Sequence, residues 1–282
     1  MTLGTLLRLG RVSNLPTVWT NALAGAVLAS DGAPSLTTFI LTGIALTLFY
    51  EGGMWLNDAF DAEIDARERA NRPIPNGEVS MHTVFTGGFA MLAAGIAISF
   101  TLGIEAGFTG IALAVAIVAY DALHKKVGFG PVMMGATRYF SYSLAAVAVG
   151  VFTGDALWGA LGLFAYIIGL TYAAKQEAYD RIGAAWPLAV LAIPVLWALE
   201  QALEAPIALV FWAGLCAVVA FALHRLFRRQ PGDVPKAVVT MIAGISLYDA
   251  ALIASTGATG LAALAAAGFA LTLALQRVAS GT

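Results

Sequence analysis

Long apolar runs separated by short polar breaks fill this chain. Ten of the runs, near 14–30, 36–56, 81–103, 106–123, 131–152, 156–176, 186–203, 206–223, 236–255 and 259–276, are long enough to cross a bilayer as helices, which takes roughly 17 to 25 residues each. The last run, LAALAAAGFALTLAL, is uniform enough to lie along the interface instead, which leaves nine spans as the alternative. The pattern predicts an all-α polytopic membrane protein, a bundle of about ten helices forming one domain over residues 1–282. Composition agrees: the chain is 60% hydrophobic with a mean hydropathy of +0.82, more apolar surface than a soluble domain of this size buries. The start, MTLGTLLRLGRVSN, lacks a long apolar region followed by a small-residue cleavage site, so no cleaved signal peptide is expected.

Charge fixes the expected orientation. The odd-numbered connections, DGAPS, GIEAG, TGDA, LEAP and STGATG, contain no Lys or Arg. The even-numbered connections and the two ends hold Arg8, Arg11, Arg67, Arg69, Arg72, Lys125, Lys126, Lys175, Arg181, Arg225, Arg228, Arg229, Lys236 and Arg277. Basic loops stay on the cytoplasmic side, which puts both termini there, in what is expected to be a bacterial cytoplasmic membrane. Arg138 alone lies within a span. The single Cys216 excludes an internal disulfide and a thiolate metal cluster. Nothing points to nucleic acid as a partner.

In a membrane helix apolar periodicity discriminates little, so polar residues carry the signal. Ionisable groups within the bilayer are costly and are functional candidates by default: Glu51, Asp121, Arg138, Lys175, Glu177 and Asp249. The densest cluster is NDAFDAEIDARERANRPIPNGEVS at 57–80, where nine of 24 residues are charged in a chain with 11% charged residues. At about 100° per residue, Asn57, Asp58, Asp61 and Asp65 fall within an arc of about 100°, with Glu51 near the same stripe and Glu63 off it. Such a stripe of oxygen donors suits Mg²⁺, which keeps some waters and completes its shell with phosphate oxygens; pairing of the acids with Arg67 and Arg69 on a solvated loop is the other reading of these residues.

NDAFDAEID followed by NRPIPNGEVS resembles the first signature of the UbiA superfamily of membrane prenyltransferases. The resemblance implies a UbiA-like bundle with a cytoplasmic cap over the active site, and a Mg²⁺ site of Asn57, Asp61 and Asp65 with Asp58 beside them. It further implies that Arg72 faces the diphosphate of an isoprenyl donor, as do Tyr120 and Lys125 in YDALHKK, and that Asn14 is a polar residue of the pocket. The family's second acidic motif corresponds to TYAAKQEAYDRIG, where only Glu177 and Asp180 supply carboxylates for a second metal. Lys175 stands where an acid is expected and would neutralise diphosphate directly. Arg138, a lone cation within a span, needs an anionic partner, either a helix-end Asp or the substrate. Asp61, Asp65, Arg72, Lys125 and Lys175 are the expected catalytic residues. Trp55, Tyr120, Tyr139 and Tyr142 are candidates to shield a carbocation. The implied activity is Mg²⁺-dependent transfer of a prenyl group to an acceptor whose identity the sequence leaves open. The rivals are an acceptor-independent cyclase or lyase of the same fold and a membrane transporter, which would carry its charges nearer the midplane.

Overall fold

Several polar breaks in the sequence carry a device that stops or starts a helix. Ser35, Ser80 and Thr153 cap helices by accepting hydrogen bonds from the backbone N–H of Thr38, Thr83 and Ala156. Gly103, at φ +142°, separates two helices with no intervening loop. The computed structural model describes residues 1–30, 34–176 and 183–277. Among them are twelve helices: α1 (Leu3–Gly10), α2 (Leu15–Leu28), α3 (Leu36–Phe60), α4 (Ala62–Glu68), α5 (Met81–Leu102), α6 (Ile104–Leu123), α7 (Gly130–Val147), α8 (Gly154–Ala174), α9 (Ala192–Leu203), α10 (Pro206–Arg228), α11 (Asp233–Ser255) and α12 (Thr259–Gln276). A 3₁₀ stretch over Trp186–Leu191 leads into α9.

A helix stands at each of the ten expected spans. Eight segments are long and apolar enough to cross a membrane, and the other two, α2 and α7, fall short for different reasons. α2 has only 14 residues, about 21 Å of helix. α7 has 18 residues but carries Arg138 and several hydroxyls. Both are interior helices: Thr20 and Asn21 of α2 bond Asp249 of α11, Arg138 of α7 bonds Asn21, and the α7 hydroxyls of Thr137, Ser141 and Ser143 bond carbonyls of their own helix. α12 packs on α11 and α2, so the last apolar run is a helix of the bundle, not the surface segment of the nine-span alternative. The chain is an integral membrane protein by the length and apolarity of these helices. Large apolar side chains such as Phe108, Val115, Leu196 and Val210 point outward from the bundle, an arrangement that lipid accommodates and water does not.

Two apolar cores sit side by side. One joins α3, α5 and α6 through Leu46, Phe49, Leu56, Leu92 and Leu113. The other joins α8 to α12 through residues such as Leu163, Tyr166, Leu215, Met241 and Tyr248. α2 and α7 contribute to both. α3 and α5 cross so closely that a Cβ on Gly52 would lie 2.9 Å from the Gly88 carbonyl oxygen, the small-residue contact by which membrane helices pack. At one end of the bundle, α1, α4 and the 69–80 segment form a cap. Arg8 of α1 pairs with Glu78, whose carboxylate also accepts from Thr5 at 2.7 Å and Asn76 at 3.0 Å. These bonds hold the Glu78 carboxyl down to about pKa 2.

Candidate active site

α3 runs four residues past its expected end at 56, to Phe60, and Asp61 caps it before α4 begins. The break does not disturb the acidic stripe, because Asp61 N–H donates to the Asn57 carbonyl and Asp65 N–H to the Asp61 carbonyl, at 3.0 and 2.8 Å. Asn57, Asp58, Asp61 and Asp65 are all buried, whereas Glu63 is exposed. Glu51 departs from the expectation: it lies against Gly10 of α1, outside the cavity.

A cavity of about 750 Å³ opens beneath the cap. Its outer end is polar and charged, lined by Arg11, Asn57, Asp61, Arg72, Tyr120, Asp121, His124, Lys125 and Lys175. Its inner end is apolar, lined by Val18, Leu46, Phe49, Leu113, Ile117, Ile167, Leu170 and Ile242. Asn14, Tyr50, Thr137, Arg138, Ser141 and Thr171 also line the cavity, and the Asn14 Oδ1 accepts from Gln276 Nε2 at 2.8 Å.

The charged end is built from three helix termini and the cap. Lys125 Nζ lies 2.9 Å from Asp61 Oδ2, and His124 Nε2 lies 3.7 Å from the same oxygen. The His124 ring stacks on Tyr120 at 4.6 Å, and burial lowers its pKa despite the neighbouring Asp61. Lys175 Nζ donates to the His124 carbonyl at 3.1 Å, which ties the end of α8 to the loop after α6; burial lowers its pKa too. Asn57 Nδ2 donates to Asp121 at 3.2 Å.

Asp58 differs from the place expected for it beside the metal and substrate. It does not line the cavity; it is buried behind it and receives Arg11 at 3.1 Å and Arg72 at 2.9 Å. These two arginines at Asp58 and Lys125 at Asp61 pair with the cluster, not Arg67 and Arg69. Asp65 is likewise buried behind the wall. Arg11, absent from the sequence-based set, enters because the chain turns left-handed there (φ +45°) and carries its side chain inward. Of the four aromatics proposed to shield a cation only Tyr120 lines the cavity; Tyr142 is fully buried in the core, and Tyr50 lines the cavity as well. Glu177 and Asp180 lie outside the described residues.

Among the described residues no three of His, Cys, Asp and Glu converge on one metal position. Asn57, Asp61 and Asp121 nonetheless offer oxygen donors there, beside the His124 ring nitrogen, and Asp121 Oδ2 is buried without a hydrogen-bond partner. This donor set fits a hard cation that takes one or two protein ligands and completes its shell with diphosphate oxygens and water.

The relatives agree in kind. Digeranylgeranylglyceryl phosphate synthase of Saccharolobus solfataricus is 29% identical over 149 residues, 52% of this chain and 53% of that protein. The Thermococcus kodakarensis enzyme of the same name is 29% identical over 160 residues, 56% of this chain and 57% of that protein. The matched part is thus little more than half the length of these relatives. Among solved structures, a UbiA homolog from Aeropyrum pernix superposes with a TM-score of 0.69 at 19% identity, over 86% of this chain and 97% of that one. A UbiA homolog from Archaeoglobus fulgidus bound to GPP and Mg²⁺ superposes with a TM-score of 0.55 at 12% identity, over 96% and 99%. At such identities the likeness concerns the fold. The model of the UbiA prenyltransferase family matches residues 18–242, a range that includes the acidic stripe, the 69–80 cap segment and the helix ends around the cavity, and the chain belongs to that family.

Proposed function

We propose that the protein transfers a prenyl group from an isoprenyl diphosphate to an acceptor within the membrane and releases diphosphate. The observation that carries this reading is the division of one cavity into a cationic, oxygen-rich end and an apolar end, matching a ligand with a diphosphate head and a hydrocarbon tail. Relatives support it: the Archaeoglobus fulgidus homolog binds GPP and Mg²⁺, and the two relatives compared in sequence above are digeranylgeranylglyceryl phosphate synthases.

In this reading Arg72, Lys125 and Lys175 contact the diphosphate; Asn57 and Asp61, which line the cavity with Asp121, would hold Mg²⁺, with Asp65 buried behind them and Glu177 and Asp180 as candidates for a second ion. A bound Mg²⁺ would offset charge on the departing diphosphate. The bond from the prenyl C1 to oxygen breaks with its electron pair going to the diphosphate. The acceptor's nucleophilic atom bonds to C1, and its proton is taken up by the released diphosphate. Side chains fixed before the reaction at the place where negative charge grows are the largest contribution such a site can make. Asp61 also holds Lys125 in position. The wall of Phe49, Leu113 and Ile117 excludes water from C1. On the positive-inside rule the charged end faces the cytoplasm, and residues 1–282 act as one domain.

The test is to incubate purified protein with Mg²⁺ and a panel of isoprenyl diphosphates, with and without lipid acceptors, and to follow diphosphate release and products by mass spectrometry. Acceptor-dependent release is expected. Release with a cyclised or eliminated product and no acceptor would replace transfer by the lyase reading, and no release with any donor would refute both.

A further inference from the structure

Arg138 has no place in the diphosphate site. It lies eight residues along α7 from Gly130, about 12 Å by helical rise, and Gly130 marks the charged end because a Cβ there would lie 2.6 Å from Lys175 Nζ. Arg138 is therefore well below Lys125 and Lys175, where the cavity turns apolar. No carboxylate of the described residues is within ion-pair distance of it. Its Nη1 donates to Asn21 Oδ1 at 2.9 Å, its Nη2 lies 3.5 Å from Thr17 Oγ1, and its Cζ is 5.8 Å from the centre of the Tyr50 ring.

Behind it, Asn21 Nδ2 donates to Asp249 Oδ2 at 2.7 Å, an oxygen that also accepts from Thr20 at 2.7 Å. Asn21 thus stands between cation and carboxylate. Asp249 is fully buried in the core, while Arg138 is part of the cavity wall. A pair serving only packing would bring the two charges into contact; the interposed amide instead fixes the direction of the guanidinium and leaves part of its fork of five N–H donors open to the cavity.

We infer that Arg138 is the anchor for an anionic acceptor, a carboxylate or a phosphate monoester, and that Asn21 and Asp249 are the residues that position it. The inference rests on the prenyl-transfer reading. A guanidinium fork matches carboxylate and phosphate in bidentate fashion, and in a largely apolar surround an unanswered cation disfavours a neutral occupant. The donor's diphosphate is already answered by the cations at the outer end, so the anion that Arg138 awaits belongs to the second substrate.

The experiment measures equilibrium binding to the purified protein in detergent, first of geranyl S-thiolodiphosphate with Mg²⁺, then of paired acceptor probes on that complex. One pair is 4-hydroxybenzoate and its methyl ester; the other is a prenylglyceryl phosphate and the matching prenylglycerol. The charged member of at least one pair is expected to bind about ten-fold or more tighter than the neutral one, and the pair that responds tells carboxylate from phosphate. Arg138→Gln should bring the two members to near parity while donor affinity moves by less than about three-fold. Arg138→Lys, which retains the charge, should keep part of the preference, and Asn21→Leu should weaken it with the cation still present. Equal affinity for charged and neutral probes in both pairs, or loss of donor binding in folded Arg138→Gln and Arg138→Lys alike, would overturn the assignment to the acceptor. Failure of the wild type to bind the thiolodiphosphate would instead sink the prenyl-transfer reading, and this inference with it.

Discussion

Asp58 and Asp61 are three residues apart on the same acidic stripe, yet their surroundings give them different consequences when removed. Asp58 is buried and answers both Arg11 and Arg72. Asp58→Ala leaves two cations without their partner, which costs about 3–5 kcal/mol for a buried pair, so thermal stability and activity should fall together. Asp61 faces the cavity and pairs with Lys125, which is itself partly exposed. Asp61→Ala should leave the melting temperature within about 2 °C of wild type, since a partly solvated pair contributes little, but lower turnover by about 10²-fold or more. Glu63→Ala, on the exposed face, should alter neither. Circular dichroism melts alongside diphosphate release would separate the three, and an Asp61→Ala enzyme with wild-type turnover at limiting Mg²⁺ would remove Asp61 from the site. The stripe itself was legible from spacing, because the 100° rule survives the break at Asp61. The exclusion of Asp58 from the cavity was not, since its partners Arg11 and Arg72 come from distant turns whose conformation no periodicity encodes.

At the scale of elements, the cap is held by polar contacts at Glu78 and by a small apolar cluster of Leu9, Ala59, Val79 and Val84, whereas the α3–α5 crossing hangs on glycine. α1 docks on the 69–80 segment through Arg8 and Thr5, both directed at Glu78. The folded carboxyl of Glu78 is held from its ordinary 4.5 down to about 2. Its contribution to docking is therefore complete above pH 4.5 and is lost as pH falls toward 2. Spin labels at Gly4 and Asn76 should report one short distance at pH 6 and a broad distribution near pH 2; Glu78→Gln should broaden it at pH 6 already. An unchanged distance in that variant would mean that α1 is held by its apolar face alone. In contrast, Gly52→Val places side-chain atoms against the Gly88 backbone carbonyl, which no rotamer change relieves. The variant should lose about 1–3 kcal/mol and lower the yield of folded protein, with Gly77→Ser in the open cap turn as a permissive comparison for space though not for its positive φ. The ten spans were visible in the hydropathy pattern. α1 was not, because an eight-residue amphipathic helix next to a basic pair reads as an ordinary loop end.

The whole molecule has an internal electrical order that the sequence already displays. Basic residues cluster at the end of the bundle where the cavity opens, and Arg138 is the exception because it belongs to the cavity rather than to a loop. What hydropathy could not reveal is which helices are interior. α11 and α8 are the most enclosed of the long helices and α12 among the least, although all three are similarly apolar, because enclosure depends on neighbours and not on composition. The orientation makes the last prediction. Ser30 and Thr153 lie at the ends of α2 and before α8, on the end of the bundle opposite the cap, while Asn76 sits in the cap. With the native Cys216 replaced by Ser, single cysteines at Ser30 and Thr153 should react with a membrane-impermeant maleimide added to intact cells, and one at Asn76 only after the membrane is permeabilised. The reason is that moving the basic connections across an energised membrane is unfavourable. Labelling of Asn76 from outside would invert the orientation and put the diphosphate end on the face away from cytoplasmic Mg²⁺ and isoprenyl diphosphates. The proposed reaction would then lack access to its donor.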